Sequence, residues 1–386
     1  AVYLKADVDA SIKFGETVSD YAAGTLLDVS TWFTERDDTF SIQPATENGK
    51  IFLCDEAGNT ISNGYSGSVE VRRYEEGYTV VNSVPFETYL TAVVPSEMPS
   101  TYEKEALKAQ AVCARSYAYI QLMRADLAAF GAHINDSTSY QVYNKVEAGE
   151  ASRQAVEETK HEVMTYADEV IEAYYFSTSC GYSTDGTIWG ASKDEVPYLK
   201  GIGLTEKKKI PDLTDNDTFL KFIQGQGEQN YDSSFPMYRW KTTITNKKLQ
   251  QKVDTIGEIQ GIFVTSRGTG GIAQTVQIVG SEGTKTLKGQ SQIRSVLGSE
   301  SLVYKKNDGT ELTGWSTLPS AFFSVDETAR DEEKDIRTFT IWGGGYGHGV
   351  GMSQNGAQEM AREGKNYEEI LMFFYDGVEI RDCEED

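Results

Sequence analysis

The chain has 386 residues, 59 acidic against 36 basic side chains and a formal charge of −23 at pH 7. Hydrophobic residues at 39% mark a folded chain, and the length suits one large or two ordinary domains, because single cores stop growing at roughly 250–300 residues. The acidic excess argues against nucleic acid as a partner, and no apolar run approaches the ~20 residues that span a bilayer as a helix.

Residues 1–66 carry short strand candidates broken by Gly, Asn and Asp. Ser68–Arg73 and Tyr78–Ser83 flank Glu75-Glu76-Gly77 and predict a hairpin that Pro85 ends. In Val93-Val94-Pro95-Ser96-Glu97-Met98-Pro99 a carboxylate stands between two prolines in the approach to a helix. Two readings stay open for Glu97: a charge drawn to a helix N-terminus, or an acid in partly apolar surroundings that can donate a proton. Ser100-Thr101-Tyr102-Glu103 has the capping-box pattern and predicts a helix from Glu103 to about Ala129. Leu107, Ala111, Ala114, Ala118 and Leu122 form one narrow face of it, with Lys104, Lys108, Arg115 and Tyr119 on others.

A short helix (Ala151–Thr159) and a strand (Val170–Phe176) lead into Ser177-Thr178-Ser179-Cys180-Gly181. The polar stretch from about Leu204 to Pro236 reads as a connection. Strands are predicted at Tyr238–Thr245, Ile259–Ser266, Ile272–Val279 and Thr284–Lys288, and a charged stretch from Ser299 to Lys334 leaves room for one at Ala321–Val325. After the glycine run Gly343–Gly351 come two helices, about Ser353–Arg362 and Tyr367–Tyr375, the second with Asn366 as cap, Glu369 three residues on and Gly377 past its end.

The glycine run fits neither G-x-G-x-x-G nor G-K-[ST], so a nucleotide cradle is not signalled; its glycines let a loop pass close to substrate or to another backbone. His348 within it is one of three histidines. Cys54, Cys113, Cys180 and Cys383 form no C-x-x-C pair, and no histidine has metal-ligand spacing. A nucleophilic pair of Cys180 with His348 stays open, as does an inert buried thiol.

Three blocks together resemble the stage II sporulation protein D / LytB family (SpoIID). They are Val84-Pro85-Phe86-Glu87-Thr88-Tyr89-Leu90 through Glu97 to Ala118, then Phe176-Ser177-Thr178-Ser179-Cys180-Gly181, then Gly343–Gly351 with Met352-Ser353-Gln354. The ending Tyr367–Leu371 with Phe374-Tyr375-Asp376-Gly377 is also similar. The resemblance implies an α+β fold with a catalytic core of residues 67–205 and 336–386, holding a long helix and the Gly-rich C-terminal segment. Residues 1–66 form a β-rich segment packed on it and 206–335 a β-rich inserted unit.

It further implies a lytic transglycosylase acting on peptidoglycan glycan strands stripped of stem peptides, with Glu97 as general acid and then base. Lys108, Gln110, Arg115 and Tyr117 on the helix and Ser177, His348, Ser353 and Gln354 elsewhere are the implied substrate-binding residues. Relatives carry zinc ligands where this chain has Asn135, Ser139 and Tyr140, so neither metal nor cofactor is expected. Asn355 stands where an aromatic is common in relatives. The expected setting is outside a bacterial membrane, secreted or anchored through a removed N-terminal segment, with a wall amidase or another sporulation protein as partner. Three alternatives stay open: a non-catalytic glycan-binding enhancer of an amidase, a Cys180–His348 peptidase, and a hydrolase using Glu87, Glu103, Asp136 or Asp185 as second carboxylate.

Overall fold

The computed structural model describes residues 1–34, 39–137, 139–225 and 227–383. Two units emerge, one from residues 1–164, 170–172 and 381 onward, the other from 165–169 and 173–380.

In the first unit, alternating apolar residues build a five-stranded antiparallel sheet in the order Thr17–Tyr21, Ala10–Phe14, Thr39–Pro44, Ser68–Tyr74, Gly77–Ser83. The hairpin expected from the sequence is its last pair, with Val71 opposite Val80. Three strands from residues 1–66 therefore share a sheet with the hairpin, and the expected boundary at 66 divides that sheet. A second antiparallel sheet of three pairs Tyr3–Ala6 with Leu27–Asp28 and Ile51–Cys54.

Three helices pack on one another beside these sheets: α1 (Phe86–Glu97), α2 (Lys104–Arg124) and α3 (Glu150–Glu158). The sequence reading has no helix at α1, where Thr91, Val93 and Val94 have low helix propensity and Pro95 ordinarily breaks one. Burial of Tyr89, Leu90, Val93 and Val94 overrides propensity, and Pro95 falls in the last turn, where only the helix end is weakened. Helix α2 starts at Lys104 with Glu103 as N-cap and no side-chain capping bond, while Ser100 Oγ instead accepts a hydrogen bond from Ser152 Oγ at 3.0 Å. It ends at Ala125 in the left-handed region, not at Ala129. Every residue from Ala109 to Ala118 is buried, so the alanines serve close approach on all sides rather than one narrow face.

The second unit holds a five-stranded antiparallel sheet ordered Glu311–Leu312, Tyr304–Lys306, Trp240–Thr245, Ile336–Gly343, Phe323–Asp331. A three-stranded antiparallel sheet follows Ile259–Arg267, Ala273–Gly280, Thr284–Lys288. With α4 (Asn216–Gln224), α5 (Asn246–Gln250) and α6 (Gln290–Leu297) they form this unit's elements between 216 and 343. Its main core gathers Trp240, Ile262, Val276, Ile293, Phe323 and Phe339. Strand Phe323–Asp331 outruns the expected Ala321–Val325; its outer half is charged and exposed, as suits a sheet edge. Because Ile336–Gly343 lies between Trp240–Thr245 and Phe323–Asp331, the expected boundary at 335 cuts through a hairpin.

Met352–Ser353 then pairs in parallel with Tyr175–Phe176, ahead of α7 (Gln354–Arg362) and α8 (Tyr367–Phe374). The α8 capping box is formed as expected: Glu369 N donates to Asn366 Oδ1 at 2.8 Å and Asn366 N donates to Glu369 Oε2 at 3.0 Å. No helix among the described residues is long and apolar enough to cross a membrane.

Candidate functional site

Glu97 is the last residue of α1 and is half-buried. Two influences act on its charge. The C-terminal end of a helix disfavours an anion, whereas Val142 N–H donates to Glu97 Oε1 at 2.6 Å and favours it. Val142 belongs to the segment 141–149, which has neither helix nor strand.

Neighbouring side chains lock this corner. Tyr89 OH donates to Gln141 Oε1 (3.1 Å), Gln141 Nε2 donates to Ala114 O (3.2 Å), and Tyr143 OH donates to Asn82 Oδ1 (2.9 Å). The Tyr89 and Tyr143 rings stand 5.1 Å apart. Burial first, with Tyr143 and Glu97 adding to it, pushes the Tyr89 phenol well above its usual range. Burial does the same to Tyr117, with Glu172 and Tyr140 ahead of Glu97. Both phenols are therefore neutral, with the Glu97 charge among the influences that keep them so, and the Tyr89 proton is committed to Gln141.

Of the α2 residues singled out from the sequence, Tyr117 has Glu97 among the charges that raise its phenol. Arg115 is fully buried and forks onto Glu87, Nε to Oε1 at 2.9 Å and Nη2 to Oε2 at 2.8 Å. Two further N–H groups meet Glu162 O (3.1 Å) and Val156 O (3.3 Å). Gln110 is also sealed from solvent. Both side chains are enclosed by protein in this structure, and Arg115 ties the start of α1 to α2 and α3. Lys108 is engaged by Glu158 (2.8 Å) and Glu105 (3.3 Å), bridging α2 to α3.

In the segment 135–143, Thr138 lies outside the described residues. Asn135 Oδ1 accepts from Ser137 N (3.0 Å) and Ser137 Oγ (2.6 Å), Ser139 N donates to Ser137 Oγ (3.2 Å), and Tyr140 N donates to Ser137 O (3.0 Å). These bonds close the turn.

The remaining candidates lie in the second unit. The glycine run threads against main chain: Tyr346 and Thr178 exchange both backbone bonds (2.7 and 3.1 Å), and Thr184 N donates to Gly349 O at 2.7 Å. Gly351 has φ +75°, and a Cβ there would lie 1.9 Å from Tyr174 O. The close approach that the glycines permit is thus to another backbone.

His348 Nδ1 accepts from Val350 N at 3.1 Å, and its ring is walled by Trp189, Phe176 and Tyr174 at 5.2, 5.8 and 6.0 Å. Ser177 Oγ lies 3.1 Å from Thr178 Oγ1, and Asn355 Nδ2 donates to that same Thr178 oxygen at 2.7 Å. Gln354 is buried. Cys180 is enclosed with Phe219, Ile223 and Phe322, and burial pushes its thiol up to about 11. A neutral, enclosed thiol is a poor nucleophile, which favours the inert reading of Cys180 over the peptidase alternative.

Ser353 leads to a residue the sequence reading missed. Fully buried Asp232 accepts from Ser179 N (3.1 Å), Ser179 Oγ (2.5 Å) and Ser353 Oγ (2.9 Å), while Ser353 Oγ also caps α7 through Gly356 N (3.2 Å). Asp232 is the junction of the Ser-Thr-Ser turn and the C-terminal block. No local signal marks it, since it sits in a polar stretch 53 and 121 residues from its partners.

Burial pushes the Asp232 carboxyl up from 3.8 to about 7, against the opposing pull of the Ser179 and Ser353 hydrogen bonds. Burial also pulls His348 down from 6.5 to about 4, opposed by its bond to the Tyr175 main chain. The two act with opposite sign. Below pH 7 Asp232 takes up a proton in the folded state first, so acidification relieves its cost and stability rises. His348 stays neutral when folded but protonates when unfolded, so stability falls from pH 6.5 towards 4.

The unsubstituted protein should show little net contribution from this pair between pH 6.5 and 4.5. Relative to it, Asp232→Asn should lose about 2 kcal/mol on that descent and His348→Asn should gain a similar amount, at about 1.4 kcal/mol per pH unit. Urea unfolding at the two pH values measures both differences. Variants that track the unsubstituted protein at both would refute this account.

Residues 74–166 match the family described as SpoIID, stage II sporulation protein, and residues 184–351 match a domain of unknown function, DUF8618. The chain is 30% identical over 333 residues to stage II sporulation protein D of Bacillus subtilis (strain 168), covering 82% of this chain and 80% of that protein. It is 32% identical to the protein of the same name from Bacillus amyloliquefaciens, over the same shares. An amidase enhancer of Bacillus subtilis is 28% identical over 307 residues, 75% of this chain but 40% of that longer protein.

Proposed function

Because the chain belongs to the stage II sporulation protein D family, we propose that it works on the bacterial cell wall as a peptidoglycan lytic transglycosylase with Glu97 as its single catalytic carboxyl. The observation that carries this reading is Glu97 itself, half-buried at the end of α1 and accepting from the Val142 main-chain N–H.

Protonated Glu97 donates to the glycosidic oxygen between MurNAc and GlcNAc, and the bond breaks through an oxocarbenium-like state. The Glu97 carboxylate then accepts the proton of the same MurNAc C6 hydroxyl as its oxygen attacks C1. A 1,6-anhydro ring closes, the enzyme regains its proton and no water is consumed. A second carboxylate is not needed, and Glu87 would not supply one. It sits ten residues up the same helix, about 15 Å along the axis, with both oxygens on Arg115; a hydrolase needs roughly 5–9.5 Å. Such chemistry takes place outside the cytoplasmic membrane, where the polymer is.

The similarity to an amidase enhancer favours a second reading, a glycan-binding module that assists a wall amidase without cutting. Mass spectrometry of peptide-free glycan strands after incubation separates the two. Anhydro ends, one water lighter than hydrolysis products, support the transglycosylase. Reducing ends sink it, and intact strands favour the enhancer.

A further inference from the structure

The contact that holds Glu97 comes from a segment with no regular structure of its own, so something else must fix Val142. Four consecutive residues are anchored in turn. Val142 meets Glu97, Tyr143 meets Asn82, and Asn144 donates through its N–H to Ser96 Oγ (3.1 Å) and accepts at its carbonyl from Asn63 Nδ2 (2.8 Å). Lys145 closes the series. Its backbone is left-handed at φ +53°, unusual for a residue with a side chain. Its side chain turns inward and is only 11% exposed.

There the Lys145 ammonium lies 4.5 Å from the centroid of the Tyr65 ring and 5.7 Å from that of Tyr143. It donates to Tyr65 OH at 3.3 Å and to Asp136 Oδ2 at 3.2 Å. Tyr65 is itself pinned, exchanging both backbone bonds with Ile51 at 2.7 and 3.0 Å. A cation held by two ring faces and only 11% exposed is a local fastener whose strength comes chiefly from the rings, because the Asp136 carboxylate it pairs with is 58% exposed. We propose that Lys145 is the positioning residue for Glu97: packed on Tyr65 and Tyr143 and paired with Asp136, it fixes the segment that presents Val142 N–H to the carboxylate. This rests on Glu97 being the reactive group.

The Glu97 charge is among the influences that raise the Tyr89 and Tyr117 phenols, and Lys145, Asp136, Tyr65 and Tyr143 make up the fastener. Removing the N–H from a carboxylate favours its protonated form, so loosening the segment raises the midpoint of Glu97. The test follows the Glu97 carboxyl by ¹³C NMR titration in the full chain, its signal assigned by its loss in Glu97→Gln, alongside the pH profile of strand cleavage.

Lys145→Met should raise the midpoint by about half a pH unit or more and cut turnover about tenfold, with KM within about twofold. Lys145→Arg, which keeps charge and ring packing, should recover most of the loss. Deleting a cation also raises the midpoint by charge alone, and Tyr65→Leu answers that, because it loosens the fastener without altering charge. An unchanged Glu97 midpoint in folded Tyr65→Leu overturns the proposal. In the unsubstituted protein the Val142 amide proton should titrate together with Glu97, and its failure to do so overturns the proposal even if no variant folds. An inactive unsubstituted protein would count against the transglycosylase reading, while the NMR titration would still decide the role of Lys145.

Discussion

Replacing Glu97 by Gln is expected to lower the formation of anhydro ends from glycan strands by at least about a thousandfold, within the range that a positioned acid–base group contributes. The substitution is close to isosteric. Its side-chain carbonyl can still accept from Val142 N–H, which meets Glu97 at 2.6 Å, so the fold and the corner built by Tyr89, Gln141 and Tyr143 should persist. What disappears is the exchangeable proton, needed once for the leaving oxygen and again for the MurNAc hydroxyl. Glu97→Asp keeps the proton but shortens the arm by one methylene, and a displacement on the order of 1 Å costs about a hundredfold. Product mass and rate for the three proteins, with circular dichroism as control, check this order. Equal activity of Glu97→Gln and the unsubstituted protein would remove Glu97 from the mechanism and leave the enhancer reading in its place.

The second large effect concerns stability. Glu87→Gln strips the counter-charge from a guanidinium that is fully enclosed, while Glu87 itself keeps some exposure. Breaking a buried pair by deleting one partner typically costs about 3–5 kcal/mol, because the surviving charge stays desolvated. Arg115→Met should cost less, since the carboxylate left behind can turn to water, though the Glu162 and Val156 carbonyls lose a donor. Lys108, whose partner Glu158 is well exposed, should cost about 1 kcal/mol or less when replaced by Met. Urea midpoints give all three values. A loss under about 1 kcal/mol for Glu87→Gln would mean that water reaches Arg115 and that the fork is not what joins α1 to α2.

Much of the fold is readable from short stretches of chain, where the deciding forces act within a few residues. The 68–83 hairpin, the strands at 240–245, 259–267, 273–280 and 284–288, and the Asn366–Glu369 capping box carry their own turn or cap signals. Failures fall where a distant partner intervenes. Ser100 has the residue type to cap α2, yet its hydroxyl is bonded to Ser152, 52 residues away. Helix α1 contradicts its own propensities and exists because Tyr89, Leu90, Val93 and Val94 are buried. The boundary at 335 followed composition, the charged stretch ending at Lys334, whereas hydrogen bonding pairs Ile336–Gly343 with the strands before it.

The candidate site divides along the same line. Sequence alone determined the family, through motif blocks in order, and through them which carboxylate to examine. It also determined that the glycine run is no nucleotide cradle, because spacing is a one-dimensional property. Only the tertiary structure decided that Glu97 ends a helix rather than precedes one, and that Val142 N–H holds it. Only there do Arg115 and Gln110 prove sealed inside, and only there does Asp232 join Ser179 to Ser353. The reason is physical: a residue type fixes which protons and charges a side chain can offer. Whether it meets solvent, substrate or a buried counter-charge depends on desolvation by neighbours 28 to 121 residues away, which no local pattern encodes.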